Sequence, residues 1–326
     1  MSWKAKAHAL ALLSRLPGGR QMYHALQRMA GTNRLQLRRD LDRAYELITL
    51  THQARGRIDG ASCLEIGTGW RPLIPFVLAL AGARQVITID VNPWLTLDYA
   101  LETWRALKDQ LDEIAAVAQL DEQTVLRRYQ AVPARPAVLS DLFDPLGIHY
   151  VYPGDARATG LADQSIDLIV SSNVLEHIPA EVLEEIHRES FRVLRRDGLS
   201  VHRFNPQDHY ATVDSSITHA NFLQYSTQAW HWYGGSGLAY HNRLRAPDYR
   251  RLFTAAGFEL EICRERVDQR SLEHLQSGKL QAHPEFQGYS FAELAVDYMW
   301  VAGRKPASTE ARPSAGPALP ALQPMV

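Results

Sequence analysis

The stretch LEIGTGW, residues 64–70, decides the fold. A strand-like run, SCLEIG (62–67), ends in Gly67-Thr68-Gly69, a turn where the backbone approaches a ligand closely because glycine has no Cβ. A dinucleotide loop needs a third glycine at position 72, so that helix and strand pack closely with the pyrophosphate at the helix N-terminus. This chain has Trp70, Arg71 and Pro72 instead. An adenosine without phosphates tolerates that change better. The turn reads as a site for a nucleoside carrying an amino acid, not for NAD.

Outward from this turn, QVITID (85–90), IHYVYP (148–153), IDLIVSS (166–172) and LSVHRF (199–204) are strand candidates separated by helical patterns. Strands alternating with helices predict an α/β fold, a parallel sheet with helices on both faces. Ligands then bind outside the carboxyl ends of the strands. VITID ends in Asp90, 21 residues after Gly69, the place and spacing for a carboxylate accepting from a ribose diol.

Residues 1–57 read as a helical segment, with Leu37, Leu41, Tyr45 and Ile48 at helical spacing. Residues 58–204 form the core, interrupted at 91–147 by more chain than one crossover needs. Within that stretch, residues 95–119 read as one strong amphipathic helix, so an ordered helical insertion is expected, serving as lid or partner surface or packed on the core. Residues 205–305 carry an irregular polar and aromatic stretch, a helix from Pro247 to Gly257, and two late strands, ELEICRER and AVDYMWVAGRK. Residues 306–326, rich in Pro, Ala and Ser, are expected to be disordered.

The 326 residues are 46% apolar with net charge −1, so no global field favours nucleic acid; Arg39, Arg43, Arg127 and Arg128 could gather only locally. Two cysteines, Cys63 and Cys263, make no disulfide framework and suit a reducing cytoplasm. No apolar run approaches the roughly 20 residues of a membrane span. At the N-terminus, His8 and Arg15 interrupt a short apolar run and no cleavage site follows, so a signal peptide is not expected; a basic helix touching a membrane is the other reading.

Taken in order, LEIGTGW, VITIDVNP, GDARATGLADQSIDLIVSSNVLEHIP and FRVLRRDGL resemble the class I S-adenosylmethionine-dependent methyltransferases over residues 58–204. The resemblance implies a Rossmann-like, mostly parallel seven-stranded sheet closed by a reversed hairpin from the two late strands. It implies Glu65, Gly67 and Gly69, with Thr68 between them, around the methionine part of S-adenosylmethionine, and Asp90 and Val91 at the ribose. It places Asp155 at the adenine amino group, the Ala156 N–H beside it, and Ser172 and Asn173 near the sulfonium. Trp70 stands where many members have a third glycine. The wider pattern is similar to bacterial methyltransferases of polysaccharide and secondary-metabolite assembly.

Methyl transfer to a hydroxyl needs an aligned acceptor and a proton acceptor. The segment after the fifth strand candidate offers Asp208 and His209, with His202 on the strand itself. His209 is the candidate base, because a neutral imidazole near pH 7 can take a proton. Asp208 is a candidate orienting carboxylate, although neighbouring side chains usually point apart. Asp208, His209 and His202 are chemically adequate for a divalent metal but lack a spacing signature, and no metal is expected. His177, Tyr210, Asn221, Trp230, His241, Asn242 and Arg243 supply aromatic faces and polar groups suited to a sugar, and are read as a substrate lid. The expected acceptor is a hydroxyl of a small molecule or glycan. The alternatives are N- or C-methylation, or a scaffold that binds the cofactor without turnover. The N-terminal helices and the 91–147 segment are the candidate surfaces for a homodimer.

Overall fold

The computed structural model describes residues 2–29, 31, 34–236, 238 and 240–307. The tail expected to be disordered lies, but for residues 306 and 307, outside them. Seven strands form one sheet: β1 (Ser62–Ile66), β2 (Gln85–Ile89), β3 (Ile148–Val151), β4 (Ile166–Ser172), β5 (Leu194–Phe204), β6 (Glu259–Val267) and β7 (Val296–Arg304). Their order is β3-β2-β1-β4-β5-β7-β6, with β7 antiparallel to both neighbours and the other pairings parallel. β1 is buried at all five positions, as a central parallel strand covered on both faces must be. The winding reverses between β1 and β4, which places the ligand crevice above Gly67.

The helices α1 (Trp3–Ser14), α2 (Gly19–Met29) and α3 (Leu37–Gln53) precede the sheet. α3 and α4 (Leu73–Leu80) cover one face, and α4 (LIPFVLAL) is apolar all round because it is enclosed by its neighbours. The predicted long helix at 95–119 is broken into α5 (Leu97–Ala106), a 3₁₀ turn and α6 (Leu111–Ala118), followed by α7 (Glu122–Gln130) and α8 (Leu139–Phe143). The break falls at Asp109, with φ −91° and ψ 15°. It lets Trp104, Ile114, Val125 and Phe143 join the core that contains Phe76, so this segment packs on the sheet. None of residues 95–147 lines the cavity described below.

On the other face lie α9 (Ala180–Val193) and, after α10 (Thr227–Gly234), α11 (Ala246–Ala255). α12 (Gln269–Gln276) and α13 (Phe291–Leu294) complete the chain before β7. A third cluster joins α1, α10, α12 and the 205–245 segment through Trp3, Tyr210, Phe222, Trp230 and Leu275. Trp3 sits 5.1 Å from Tyr233 and 5.6 Å from Tyr210 between ring centroids. The stretch read as a lid is therefore a small subdomain with an aromatic core. Lacking periodicity, it has no long helix or strand through which to share the main core, so its aromatic rings pack on one another. Among the described residues, no helix is long and apolar enough to cross a membrane.

Candidate active site

A cavity of about 1180 Å³ opens over the carboxyl ends of β1, β2, β3 and β4. Its floor is the glycine turn. Gly67 has φ +89° and Gly69 φ +66°, the left-handed region in which glycine avoids the Cβ cost. A Cβ on Gly67 would stand 2.5 Å from Val174 Cγ2, so the turn and the β4 end pass too closely for any side chain. A Cβ on Gly69 would meet nothing within 4 Å, leaving open space over that backbone.

Asp90 ties the turn to the β2 end. Its Oδ2 accepts from the Gly69 N–H at 2.8 Å and its Oδ1 from the Asn92 N–H at 2.8 Å. The carboxylate also lines the cavity, where it can accept from a ribose hydroxyl. Burial raises the Asp90 pKa against these backbone donors. Glu65 is enclosed beneath the turn, bonded to Thr88 and pushed up to about 8 by burial. Thr68 pairs with the same Thr88 hydroxyl, and Val91 is exposed at the rim. After β3, Asp155 holds Arg157 through a 2.8 Å ion pair that lowers its pKa, and Ala156 is buried at the wall.

At the β4 end, Asn173 has φ +55° and its Oδ1 accepts from Arg203 (2.9 Å) and the Tyr298 hydroxyl (2.8 Å). Arg203 also donates to Ser172 Oγ and to Glu46 on α3. Ser172 and Asn173 are thus fixed by one buried guanidinium. The residues fit S-adenosylmethionine: a Cβ-free cradle, a carboxylate beside it, and room for a nucleoside with an amino-acid tail.

A family model described as a methyltransferase domain matches residues 134–201, spanning β3, β4, α9 and most of β5. That match, on this strand order and this floor, supports S-adenosylmethionine-dependent methyl transfer as the chain's activity. The chain is similar to a Galdieria sulphuraria structure provisionally named a sarcosine dimethylglycine methyltransferase, with 17% identity and TM-score 0.44, covering 83% of this chain and 86% of that one. It is also similar to a SAM-dependent methyltransferase structure from Methanosarcina mazei, with 16% identity and TM-score 0.41 over 77% and 94% of the chains. A third, from Mesorhizobium loti, shows 15% identity and TM-score 0.41 over 78% and 97%. No curated protein matches the sequence.

The roof of the methyltransferase's cavity is made of imidazoles. His177, His209, Tyr210 and His241 all line it. His177 Nδ1 lies 2.9 Å from the Tyr240 carbonyl; a carbonyl only accepts, so Nδ1 carries the proton and Nε2 is the basic nitrogen. The His209 ring stands edge-on to His177 at 4.8 Å and stacks on His241 at 5.1 Å and 12°. Burial first, then the neighbouring His177 and His241, holds the His209 pKa well below the usual histidine range. Its Nε2 is enclosed with no hydrogen-bond partner among the described residues.

Several expected site residues stand elsewhere. His202 is buried on the α9 side of the sheet, its two ring nitrogens bonded to Ser171 and Ser200 at 2.7 Å, so it serves neither base nor metal at the cavity. The reason is strand alternation: on β5 it is Arg203 that reaches Ser172, Asn173 and α3, while His202 packs near His187 and Phe253. Asp208 is fully buried, accepts from the Tyr210 N–H and the Asn221 amide, and is pushed up to about 6 by burial. It caps the turn that carries His209 and does not line the cavity, and Asn221 belongs to that cap. Trp230 is spent on the aromatic core. Asn242 donates to the Leu175 and Ile178 carbonyls and so fixes the turn that presents His177. Arg243 binds the Phe222 and Tyr225 carbonyls and Glu285. Asn242 and Arg243 position the roof from behind it.

With His202 turned away, Asp208, His209 and His202, the trio weighed for a metal and not expected to hold one, are separated. A different set, Glu176, His177 and His209, brings one ligand atom each within 4.8 Å of one another, a geometry that a divalent cation could use. Sequence reading missed the stacked pair Trp70 and Trp94 (4.8 Å, 20°), Arg203, and the wall from the N-terminal segment: Lys6, Tyr23, Gln27, Arg34, Arg39 and Arg43. Arg39 and Arg43 had been grouped with Arg127 and Arg128. Arg128 instead pairs with Asp59 at the opposite, amino end of the strands.

Proposed function

We propose that this methyltransferase acts on a hydroxyl of a small molecule or glycan in polysaccharide or secondary-metabolite assembly in the cytoplasm, with His209 as the general base. The observation that supports this most directly is the roof: His209, neutral at pH 7 through burial and its imidazole neighbours, lines the same cavity as the glycine turn. When bound, S-adenosylmethionine supplies an activated methyl group on a sulfonium. The Gly67–Gly69 turn would hold the methionine part and Asp90 the ribose, and Ser172 and Asn173, locked by Arg203, would border the reacting region. His209 Nε2 would take the proton of an acceptor hydroxyl held in that region. The proton then passes to solvent. Stacking on His241 and the edge contact with His177 fix the ring plane.

The test pairs binding with turnover. Against a panel of hydroxylated acceptors with labelled methyl donor, His209→Ala should lose about 10²–10⁴-fold in kcat, the usual share of a positioned base. S-adenosylhomocysteine affinity should change little. Retained turnover on an amine acceptor with lost turnover on hydroxyls keeps the role of the base; retained hydroxyl turnover removes it and points to His177.

A further inference from the structure

The methyl-transfer chemistry makes no use of the outer face of the N-terminal hairpin. Residues 1–39 hold eight Lys and Arg and no Asp or Glu, although the whole chain is net −1. On α1, Trp3, Ala7 and Leu10 point into the aromatic core. The other side presents Ala5, Ala9 and Leu12 to solvent, Leu12 being 65% exposed. On α2, Met22, Leu26 and Met29 recur at i, i+4 and i+7, one stripe along a helix, and are 46%, 51% and 83% exposed. Tyr23 and Gln27, from the same helix, line the cavity. Five of the twelve large apolar side chains exposed among the described residues lie between Leu12 and Met29, so this is a patch and not scatter.

An apolar stripe on a segment whose charged residues are all cations is the pattern of a helix lying in the plane of a membrane interface. We propose that α1 and α2 dock the enzyme on an anionic lipid surface. The Met22–Leu26–Met29 stripe with Leu12 and Leu16 enters the acyl boundary, and Lys4 and Arg15 meet the headgroup phosphates. The inner side of the same hairpin carries Lys6, Tyr23, Gln27 and Arg34 on the cavity wall, so docking brings the acceptor end of the cavity to the lipid. A second copy is a poor occupant, because two such faces, each cationic without an acid, repel. Nucleic acid would leave the apolar stripe unused.

The test uses the full chain and does not depend on the acceptor or the base. Flotation is measured with phosphatidylcholine vesicles containing about 30 mol % phosphatidylglycerol, and with phosphatidylcholine alone. At least about tenfold more protein should float with the anionic vesicles, and about 0.5 M salt should release much of it. Replacing the stripe (Met22→Ser, Leu26→Ser, Met29→Ser) should cut binding by about tenfold or more, with S-adenosylhomocysteine affinity and melting temperature unchanged as the fold control. If that variant misfolds, Lys4→Glu with Arg15→Glu, both exposed positions, should lower binding instead. Equal binding to neutral vesicles, no binding to anionic ones, or wild-type flotation of a folded stripe variant overturns the proposal. So does a dimer by light scattering that the stripe variant breaks without any lipid binding.

Discussion

Asp90 offers a test in which the substitution that looks mildest is as damaging as truncation. Each of its carboxylate oxygens already accepts a backbone N–H at 2.8 Å, one from Gly69 and one from Asn92. An asparagine has one oxygen and one NH₂. Whichever way the amide turns, its nitrogen faces a backbone donor, and either the glycine turn or the β2 end loses its anchor. The charged acceptor for a ribose diol is lost as well. Hydrogen bonds to a charged group contribute about 1.5–3 kcal/mol each, so two at the low end give about 3 kcal/mol, roughly 10²-fold in Kd. Both Asp90→Asn and Asp90→Ala should therefore weaken S-adenosylhomocysteine by roughly 10²-fold in calorimetric titration. Ala should not be much worse than Asn, and neither variant should bind NAD. An Asn variant within about twofold of wild type would refute the reasoning, since it would show that neither the backbone anchors nor the carboxylate charge holds the cofactor.

Three further outcomes follow from the same geometry. Burial pushes Glu65 up to about 8 from an unfolded value of 4.5, so its protonation favours the fold at low pH. That stability declines as pH rises from about 4.5 through 8, and Glu65→Gln should melt higher than wild type at pH 9 while matching it near pH 5. Arg203→Ala removes the shared donor of Ser172, Asn173 and Glu46; it should cost about 2–4 kcal/mol in denaturant unfolding and raise the S-adenosylhomocysteine Kd, with Arg203→Lys recovering little because an ammonium lacks the fork. If His209 acts as a base alone, prolonged EDTA treatment should leave turnover unchanged. Activity lost to EDTA and restored by a divalent cation would make Glu176, His177 and His209 ligands.

How far the sequence was legible depended on how local each constraint is. The central strands could be read because parallel strands buried on both faces are short continuous apolar runs, as in Ser62–Ile66 and Ile166–Ser172. Gly67, Gly69 and Asp90 could be placed because a turn and the acid at the next strand end are fixed by the sheet itself. Orientation across β5 was not legible. His202 and Arg203 are adjacent, and only the pairing of β5 with β4 and β7 decides which of them meets Ser172. The break at Asp109 was hidden for a similar reason: helical spacing continues through it, and the bend is imposed by Trp104 and Ile114 packing on one core. In residues 205–245, aromatic and amide side chains suit a sugar and an irregular core equally, and Trp230, Asn221 and Arg243 went to the core.

The missing third glycine shows how a rule broken locally is compensated by neighbours. In a dinucleotide loop that glycine lets the following helix approach the strand. Here α4 begins only after Pro72, and the space is filled by the Trp70 ring, stacked on Trp94 at 4.8 Å and edge-on to Tyr99 at 6.0 Å. Arg71, next along, reaches Glu102 on α5 at 2.9 Å. The turn is thus braced against α5 and the Asp90–Trp94 stretch, not against its own helix. A stacked aromatic pair contributes about 0.5–1.5 kcal/mol beyond its buried area, enough to hold a loop whose own helix cannot. The same two rings line the cavity with Asp90 and present flat faces there. The residue that breaks the dinucleotide pattern thus fills the place of the missing glycine with an aromatic wall.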